Sequence, residues 1–409
     1  SHRHQNLFVL SYRLSLRTKP MRLIYTLSLF FCSLALSLPA HAADEKPQTI
    51  RFATFNIAMG LESEGELYQR LTSGKDKNLR KVAAVIQRVR PDVLLLNEFD
   101  WYELDSAVLF IQNYLDVPQV GSEAISYAHA LNGAVNTGQD SGMDLNSNGV
   151  PGEPEDAWGY GKFQGQYGMM VLSRFPLQLQ RSFRLFKWSD MPDAQAPMNP
   201  DGSNWYPEPV WKKLRLSSKS HWDIEVKVND QALHFLVSHP TPPVFDGPED
   251  RNGTRNHDEI RLWADYIEPQ RSAYIYDDSG AQGGLPGNAK FVIAGDLNAD
   301  PVDGDSSVGA ILQLLDHPKI DANCVPVSEG AEQASAEQKG KNLEHKGIHA
   351  ADTGDFNDTY TGNMRIDYVL PSATLKVVAC GVFWPAPGQD GHDLADVSDH
   401  HLVWLDVEL

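Results

Sequence analysis

An acidic residue inside an apolar strand, and an acid–imidazole pair at the mouth of another, are the least expected features of this chain. Asp367 interrupts Arg365-Ile366-Asp367-Tyr368-Val369-Leu370, and Asp399 precedes His400 in Ser398-Asp399-His400-His401. Burying charge is costly unless it is paired or used. Other polar groups close apolar runs: Asn56, Glu98, His239, and Asp296 with Asn298. This set is rich in hard oxygen donors, has two imidazoles, and lacks a Cys cluster or a closely spaced His pair. Its chemistry suits Mg²⁺ or Mn²⁺ rather than structural zinc. Neither a Gly-x-Ser-x-Gly elbow nor a phosphate-binding Gly loop occurs, so serine-hydrolase and nucleotide-loop chemistries lack support.

These residues need elements to position them. Ile50 to Ile57 reads as a β-branched and aromatic strand ending near Asn56. Leu79, Val82, Ala83, Ile86 and Val89 recur at helical spacing, predicting a helix from Asp76 to Val89 that stops at Arg90-Pro91. Asp92 to Glu98 follows as a buried strand. Strand, helix, strand implies a parallel βαβ unit, in which functional groups gather at the carboxyl ends of strands. Gly168 to Ser173 predicts a further strand. Ile224–Val228 and Leu233–Val237 predict a hairpin turning at Asn229-Asp230. The second hairpin strand runs into Ser238-His239-Pro240, and the prolines that follow stiffen the position of His239. Asn256 to Ile267 is an expected helix, preceded by Arg251 and Arg255, two candidate phosphate contacts. Lys290 to Gly295 is a strand that delivers Asp296 and Asn298, and Ser306 to Leu315 is a short helix. Ser328 to Asn357 is charged and poor in apolar residues, which predicts a disordered surface loop.

Two stretches read as insertions, 121–165 and 183–222. The first carries Asp144-Leu145-Asn146-Ser147-Asn148-Gly149, then Val150 and, at the twelfth position, Glu155. That spacing matches a calcium loop, with Gly at the sharp turn and Val150 offering its carbonyl. A solvated acidic loop has the same composition, and Pro151 and Pro154 are unusual in a calcium loop. The second interleaves Trp205, Tyr206 and Trp211 with Lys212, Lys213, Arg215 and Lys219. Such a mixture could wall a substrate cleft or simply pack onto the domain.

The first twenty residues are basic and read as a tag or misplaced start. Met21 to Ala42 has a positive start, an apolar run and an Ala-x-Ala site, which predicts a signal peptide cleaved after Ala42 and a secreted or periplasmic protein. No integral membrane segment is expected after cleavage. Residues 43–409 then form a single domain with insertions. Removing residues 1–42, which hold five cations and no acid, takes the formal charge from −19 to −24. Such a surface repels polyanions, so general nucleic-acid binding is not expected. Cys324 and Cys380 remain, and in an oxidising compartment they could form one disulfide.

Taken together, Thr54-Phe55-Asn56-Ile57, Leu96-Asn97-Glu98, Ser238-His239-Pro240, Gly295-Asp296-Leu297-Asn298-Ala299-Asp300-Pro301, Arg365-Ile366-Asp367-Tyr368-Val369 and Ser398-Asp399-His400 resemble the endonuclease/exonuclease/phosphatase superfamily. That group includes deoxyribonuclease-type nucleases, sphingomyelinases and inositol polyphosphate phosphatases. The motifs follow the family's order along nearly all of residues 43–409, with Asn97 where the family commonly has Gln. The resemblance implies an α/β fold: a four-layer sandwich of two packed mixed β-sheets flanked by helices. It implies Glu98 as principal metal ligand, helped by Asn56 and Asp399. His400, oriented by Asp367, would act as general base on water or contact the phosphate as an imidazolium; Asp296 is the other candidate for positioning or deprotonating the water, while Asn298 and His239 donate to phosphoryl oxygens. The expected function is exported, metal-dependent hydrolysis of a phosphomonoester or phosphodiester, with a small molecule or phospholipid head group favoured. An extracellular nuclease competes within that class; a non-catalytic calcium-dependent binding protein competes from outside it.

Overall fold

The computed structural model describes the backbone of residues 8–11 and all of residues 48–409. The expected signal peptide at 21–42 and its cleavage point lie outside the described residues. The strands in chain order are β1 (Phe8–Ser11), β2 (Thr49–Met59), β3 (Val93–Phe99), β4 (His129–Asn132), β5 (Met169–Ser173) and β6 (Leu177–Ser182). They continue with β7 (His221–Val228), β8 (Gln231–Ser238), β9 (Phe291–Asp296), β10 (Asp367–Pro371), β11 (Lys376–Phe383) and β12 (Leu402–Glu408). The helices are α1 (Glu66–Ser73), α2 (Lys77–Val89), α3 (Ser106–Phe110), α4 (Glu208–Trp211), α5 (Arg251–Tyr266), α6 (Leu312–Leu315) and α7 (Glu329–Gln338).

One sheet runs β1-β4-β5-β3-β2-β12-β11 and the other β10-β9-β8-β7-β6. Each holds one parallel pair, β2–β3 in the first and β8–β9 in the second, among antiparallel neighbours. The period of two along each strand sorts the core into layers. Ile50, Phe52, Val93, Leu95, Phe235, Val237, Val292, Ala294, Val369, Val403 and Leu405 face the space between the sheets. Ala53, Phe55, Leu94 and Leu96 face outward onto α1, α2 and α3. Leu236, Ile293, Tyr368 and Leu370 face outward onto α5. The result is helix, sheet, sheet, helix, as the resemblance implied. Each fully buried side chain of this size contributes about 1.5–3 kcal/mol, and all three apolar layers carry such side chains.

The βαβ unit forms where periodicity predicts it. Asp76 caps α2, accepting a hydrogen bond from the Leu79 amide at 2.8 Å, and Arg90 ends the helix in a left-handed turn with φ 56°. Helix α5 begins earlier than expected, at Arg251, and only Leu312–Leu315 of the helix expected at 306–315 is α-helical. Four residues of the segment expected to lie outside the fold, Phe8–Ser11, pair as edge strand β1 with β4. An open sheet edge accepts an extended segment through main-chain groups, whatever its side chains.

Two other expectations are corrected, and one open alternative is decided. Within the 121–165 insertion, His129–Asn132 is sheet, paired with β5, and Leu131 joins the inter-sheet core. A four-residue strand is too short to show a period. Ser328–Asn357 is ordered: Ser328 caps α7, Ala331 is fully buried, and Gly330 donates to the Trp384 carbonyl at 3.1 Å. Its order comes from small residues fitting against β11 and the residues after it rather than from apolar content. In 183–222, Trp188 is fully buried and donates from Nε1 to Asp258 at 2.7 Å, while Trp211 packs against it. The aromatics therefore pack onto the domain. Cys324 and Cys380 form a disulfide across 56 residues of sequence.

Candidate active site

The inward-facing stripes of the core do not stop at the sheet ends. Past Phe52 the same face of β2 presents Thr54 and Asn56; past Leu95, β3 presents Asn97; past Val237 and Ala294 come His239 and Asp296; and Asp367 precedes Val369. Polar side chains thus replace apolar ones at one end of the sandwich, where both sheets contribute. Glu98 has the outward parity of Leu94 and Leu96, but its φ of 54° turns it back toward Asn56. Such a conformation in a non-glycine residue costs about 1–3 kcal/mol. Ala58 (φ 50°) and Asn298 (φ 51°) share it beside the same site.

The contacts form a continuous chain. Asn56 Nδ2 donates to Glu98 Oε1 at 3.2 Å and to Asp296 Oδ2 at 3.1 Å, and lies 3.4 Å from His400 Nε2. His239 Nε2 is 3.2 Å from Asp296 Oδ2, and His400 Nε2 is 3.6 Å from the same oxygen. On its other side, His400 Nδ1 meets Asp367 Oδ2 at 3.0 Å. Asn97 accepts from the Asp296 amide at 3.0 Å and so ties the two sheets together under the site.

Further partners fix these groups. Thr353 Oγ1 donates to Asp367 Oδ2 at 2.7 Å while accepting from the Ile366 and Asp367 amides. Ser398 Oγ donates to the Asn56 carbonyl at 2.8 Å and accepts from the His400 amide. The Phe356 ring meets the His400 ring edge-on, with centroids 5.4 Å apart. Thr353 and Phe356 were not singled out from sequence, since both lie in the stretch expected to be disordered.

Charge balance follows from this packing. Burial by itself would lower the pKa of His400, but the carboxylates of Asp367 and Asp296 outweigh it and hold the imidazole well above its ordinary value. Burial opposes ionisation of Asp296, yet His400, His239 and Asn56 hold it well below the usual carboxylate range. Burial pushes Asp367 up to about 6, against the pull of His400. Burial also raises Glu98, with His400 and Asn56 opposing. His239 is pushed down to about 4 by burial and by the nearby Lys219 ammonium. Neutral His239 that donates through Nε2 to Asp296 keeps Nδ1 as an acceptor, which has no partner among the described residues. In this arrangement that proton holds Asp296.

Of the eight residues expected to converge, Asn56, Glu98, His239, Asp296, Asp367 and His400 are joined by direct contacts. Asn298 borders them: its amide N donates to Asp296 Oδ1 at 3.0 Å and its Nδ2 to the Pro240 carbonyl at 3.0 Å. Asp399 is exposed; its charge acts on His400, but it hydrogen-bonds to none of the other seven. Arg255 is buried and spends its guanidinium on the carbonyls of Leu216, Trp158, Arg215 and Ser217, so it is a structural tie rather than a phosphate contact. Arg251 pairs with Glu249 and the Phe245 carbonyl.

Beside the site, Asn298, Phe356 and Ile366 open into a cleft of about 610 Å³ that also bears Phe245, Tyr360 and Lys346. No residue of 144–155 lines it. In that loop Asp144 Oδ2 accepts from the Gly149 amide at 2.8 Å and Asn146 and Asn148 turn to Glu153, while Glu155 is exposed.

The profile of the Endonuclease/Exonuclease/phosphatase family matches residues 53–400, from β2 to His400. Among solved structures the chain is similar to the endonuclease/exonuclease/phosphatase from Beutenbergia cavernae DSM 12333, at 19% identity and TM-score 0.45, over 88% of this chain and 72% of that one. It is also similar to a beta toxin variant from Staphylococcus aureus with bound magnesium ions (12%, TM-score 0.45, 88% and 99%). A third is D. rerio TDP2 complexed with single strand DNA product (11%, TM-score 0.42, 88% and 99%). No curated protein sequence matches the chain. The chain belongs to the endonuclease/exonuclease/phosphatase family, whose enzymes are metal-dependent hydrolases of phosphate esters.

Proposed function

We propose that this enzyme is exported and hydrolyses a phosphomonoester or a small phosphodiester, a phospholipid head group included, rather than long nucleic acid. The observation that carries the reading is the line Asp367–His400–Asp296, with Asn56 and Glu98 at its end, inside a strongly acidic molecule. Export is supported by the apolar run ending in Ala40-His41-Ala42 and by the Cys324–Cys380 disulfide, which suits an oxidising compartment.

The residues fit a hard divalent cation. Asp296, Asp367 and His400 each bring a ligand atom within 4.8 Å of the others, and Glu98 Oε1 is joined to Asp296 through Asn56 Nδ2, while Asn56 Oδ1 accepts from the Ala58 amide and keeps a second lone pair. Asp367 is already held by Thr353 and His400, so Glu98 and Asn56 are the residues we assign to hold Mg²⁺ or Mn²⁺, with Asp296 bordering. The exposed Asp399 is left out of that set. A bound cation supplies Lewis-acid stabilisation of charge developing on phosphoryl oxygens. Ionised Asp296 orients the attacking water. His400, protonated at neutral pH and aligned by Asp367, donates to a phosphoryl oxygen, and the second amide hydrogen of Asn298 does the same. The Asp144–Glu153 loop is a second place for an oxygen-seeking cation such as Ca²⁺, with Glu153 replacing the expected Glu155.

The test is hydrolysis of p-nitrophenyl phosphate and bis-p-nitrophenyl phosphate with Mg²⁺ or Mn²⁺, before and after chelation. A panel of sphingomyelin, sugar phosphates and plasmid DNA follows. Turnover of a small ester that chelation abolishes is expected. Exclusive turnover of plasmid DNA would replace this reading with that of an extracellular nuclease.

A further inference from the structure

Lys219 is only 6% exposed and sits in Ser217-Ser218-Lys219-Ser220, the buried segment leading into β7. The segment lies along the residues that follow β8: Ser218 Oγ donates to the His239 carbonyl at 3.3 Å, and the Lys219 carbonyl accepts from the Asn136 amide at 2.9 Å. Lysine is almost never fully buried unless paired. Here, among the described residues, no group accepts a hydrogen bond from the ammonium.

The surrounding carboxylates are committed elsewhere. Glu259 accepts from the Ser218 amide at 2.6 Å and hydroxyl at 3.1 Å, and from the Thr241 amide at 2.7 Å. Glu98 takes Asn56; Asp296 takes Asn56, His239 and the Asn298 amide. Burial lowers the pKa of the Lys219 ammonium from its ordinary value, and the charges of these three carboxylates oppose that fall. The free ring nitrogen of His239 is an acceptor and cannot meet an anion. An ammonium with donors to spare, beside Glu98 and Asp296, can.

We propose that Lys219 is a further catalytic residue, donating hydrogen bonds to a non-bridging phosphoryl oxygen of the substrate and offsetting the charge that develops there. The inference rests on the phosphoesterase reading. A preorganised donor of this kind is worth about 10²–10³ in kcat when removed. Lysine suits the place because it is a compact charge whose three donors can follow an oxygen as the phosphoryl group flattens.

The experiment uses the full chain with Mg²⁺ and the substitutions Lys219→Met and Lys219→Arg, with Lys219→Gln as the uncharged alternative should Met fail to fold. Hydrolysis of bis-p-nitrophenyl phosphate and binding of inorganic phosphate by isothermal titration calorimetry are both read. Met is expected to lower kcat/KM by about 10²–10³ and to weaken phosphate binding about tenfold or more, with Arg intermediate in both. Mg²⁺ half-saturation should hold or tighten, since a cation near the carboxylates has gone. A lysine that merely balances Glu259 would shift melting or metal response and leave phosphate affinity unmoved, and that result overturns the proposal. So does near-normal turnover by the Met variant. Phosphate binding that depends on Lys219 in a protein that cleaves no ester would instead sink the phosphoesterase reading and leave Lys219 as an anion ligand.

Discussion

His400 is held from both sides: Nδ1 meets Asp367, and Nε2 faces Asp296 and Asn56. Asp367 is in turn fixed by Thr353, whose hydroxyl donates to the carboxylate and accepts two main-chain amides. Replacing Asp367 by Asn preserves size while removing the charge that aligns and protonates the imidazole. The expected outcome is a fall in kcat of about 10² or more with folding retained; circular dichroism and steady-state kinetics check it, and near-normal turnover sinks the dyad. Thr353→Val leaves the dyad intact but unbraced. It should lose about tenfold, since one hydrogen bond to a charged group is worth about 1.5–3 kcal/mol. Most of this constellation was legible in the sequence because each member closes an apolar run. Thr353 was not, because nothing in its neighbourhood has a period. Arg255 misled for the opposite reason: an arginine near a site reads as a phosphate ligand, and only its geometry shows four carbonyls taking its donors.

At the scale of elements, regular strands and the α2 helix announce themselves through spacing, whereas the 328–357 segment folds through fit. Its buried acid makes a test. Asp352 is 5% exposed, and its carboxyl is raised to about 8, first by burial and then by the charge of Asp300, with Ser335 opposing. An unfolded aspartate titrates near 3.9, so the folded state binds the extra proton. The stability this proton supplies is fully present below about pH 4 and is lost as pH rises through 8, at about 1.4 kcal/mol per unit between the two values. Asp352→Asn removes that loss. The variant should melt higher than the parent at pH 8–9, and the gap should close toward pH 5. A constant gap across this range would mean that Asp352 is ionised in the folded protein, and that the segment packs more loosely against α7 than its burial indicates.

The whole molecule adds a long-range field to the local site. With or without residues 1–42 the chain is strongly acidic, and the cations of the 610 Å³ cleft, Lys341 and Lys346, share it with Asp303, Asp305 and Glu344. A small anion can enter such a cleft and be met by groups buried at its end. A polyanion must first bring many phosphates against a surface of its own sign. Screening should therefore help the long substrate: the Debye length falls from about 30 Å at 0.01 M salt to about 10 Å at 0.1 M. A nuclease with a cationic groove loses affinity steeply over the same range, because salt competes for the counterions it releases. For this enzyme, kcat/KM on plasmid DNA is expected to stay flat or rise as NaCl increases from 10 to 200 mM, and to remain at least about a hundredfold below that on bis-p-nitrophenyl phosphate. Initial rates in a NaCl series at fixed Mg²⁺ measure both. A DNA rate that collapses with salt would require a basic track on the surface strong enough to override the net charge, and the preference for small esters would then fall with it.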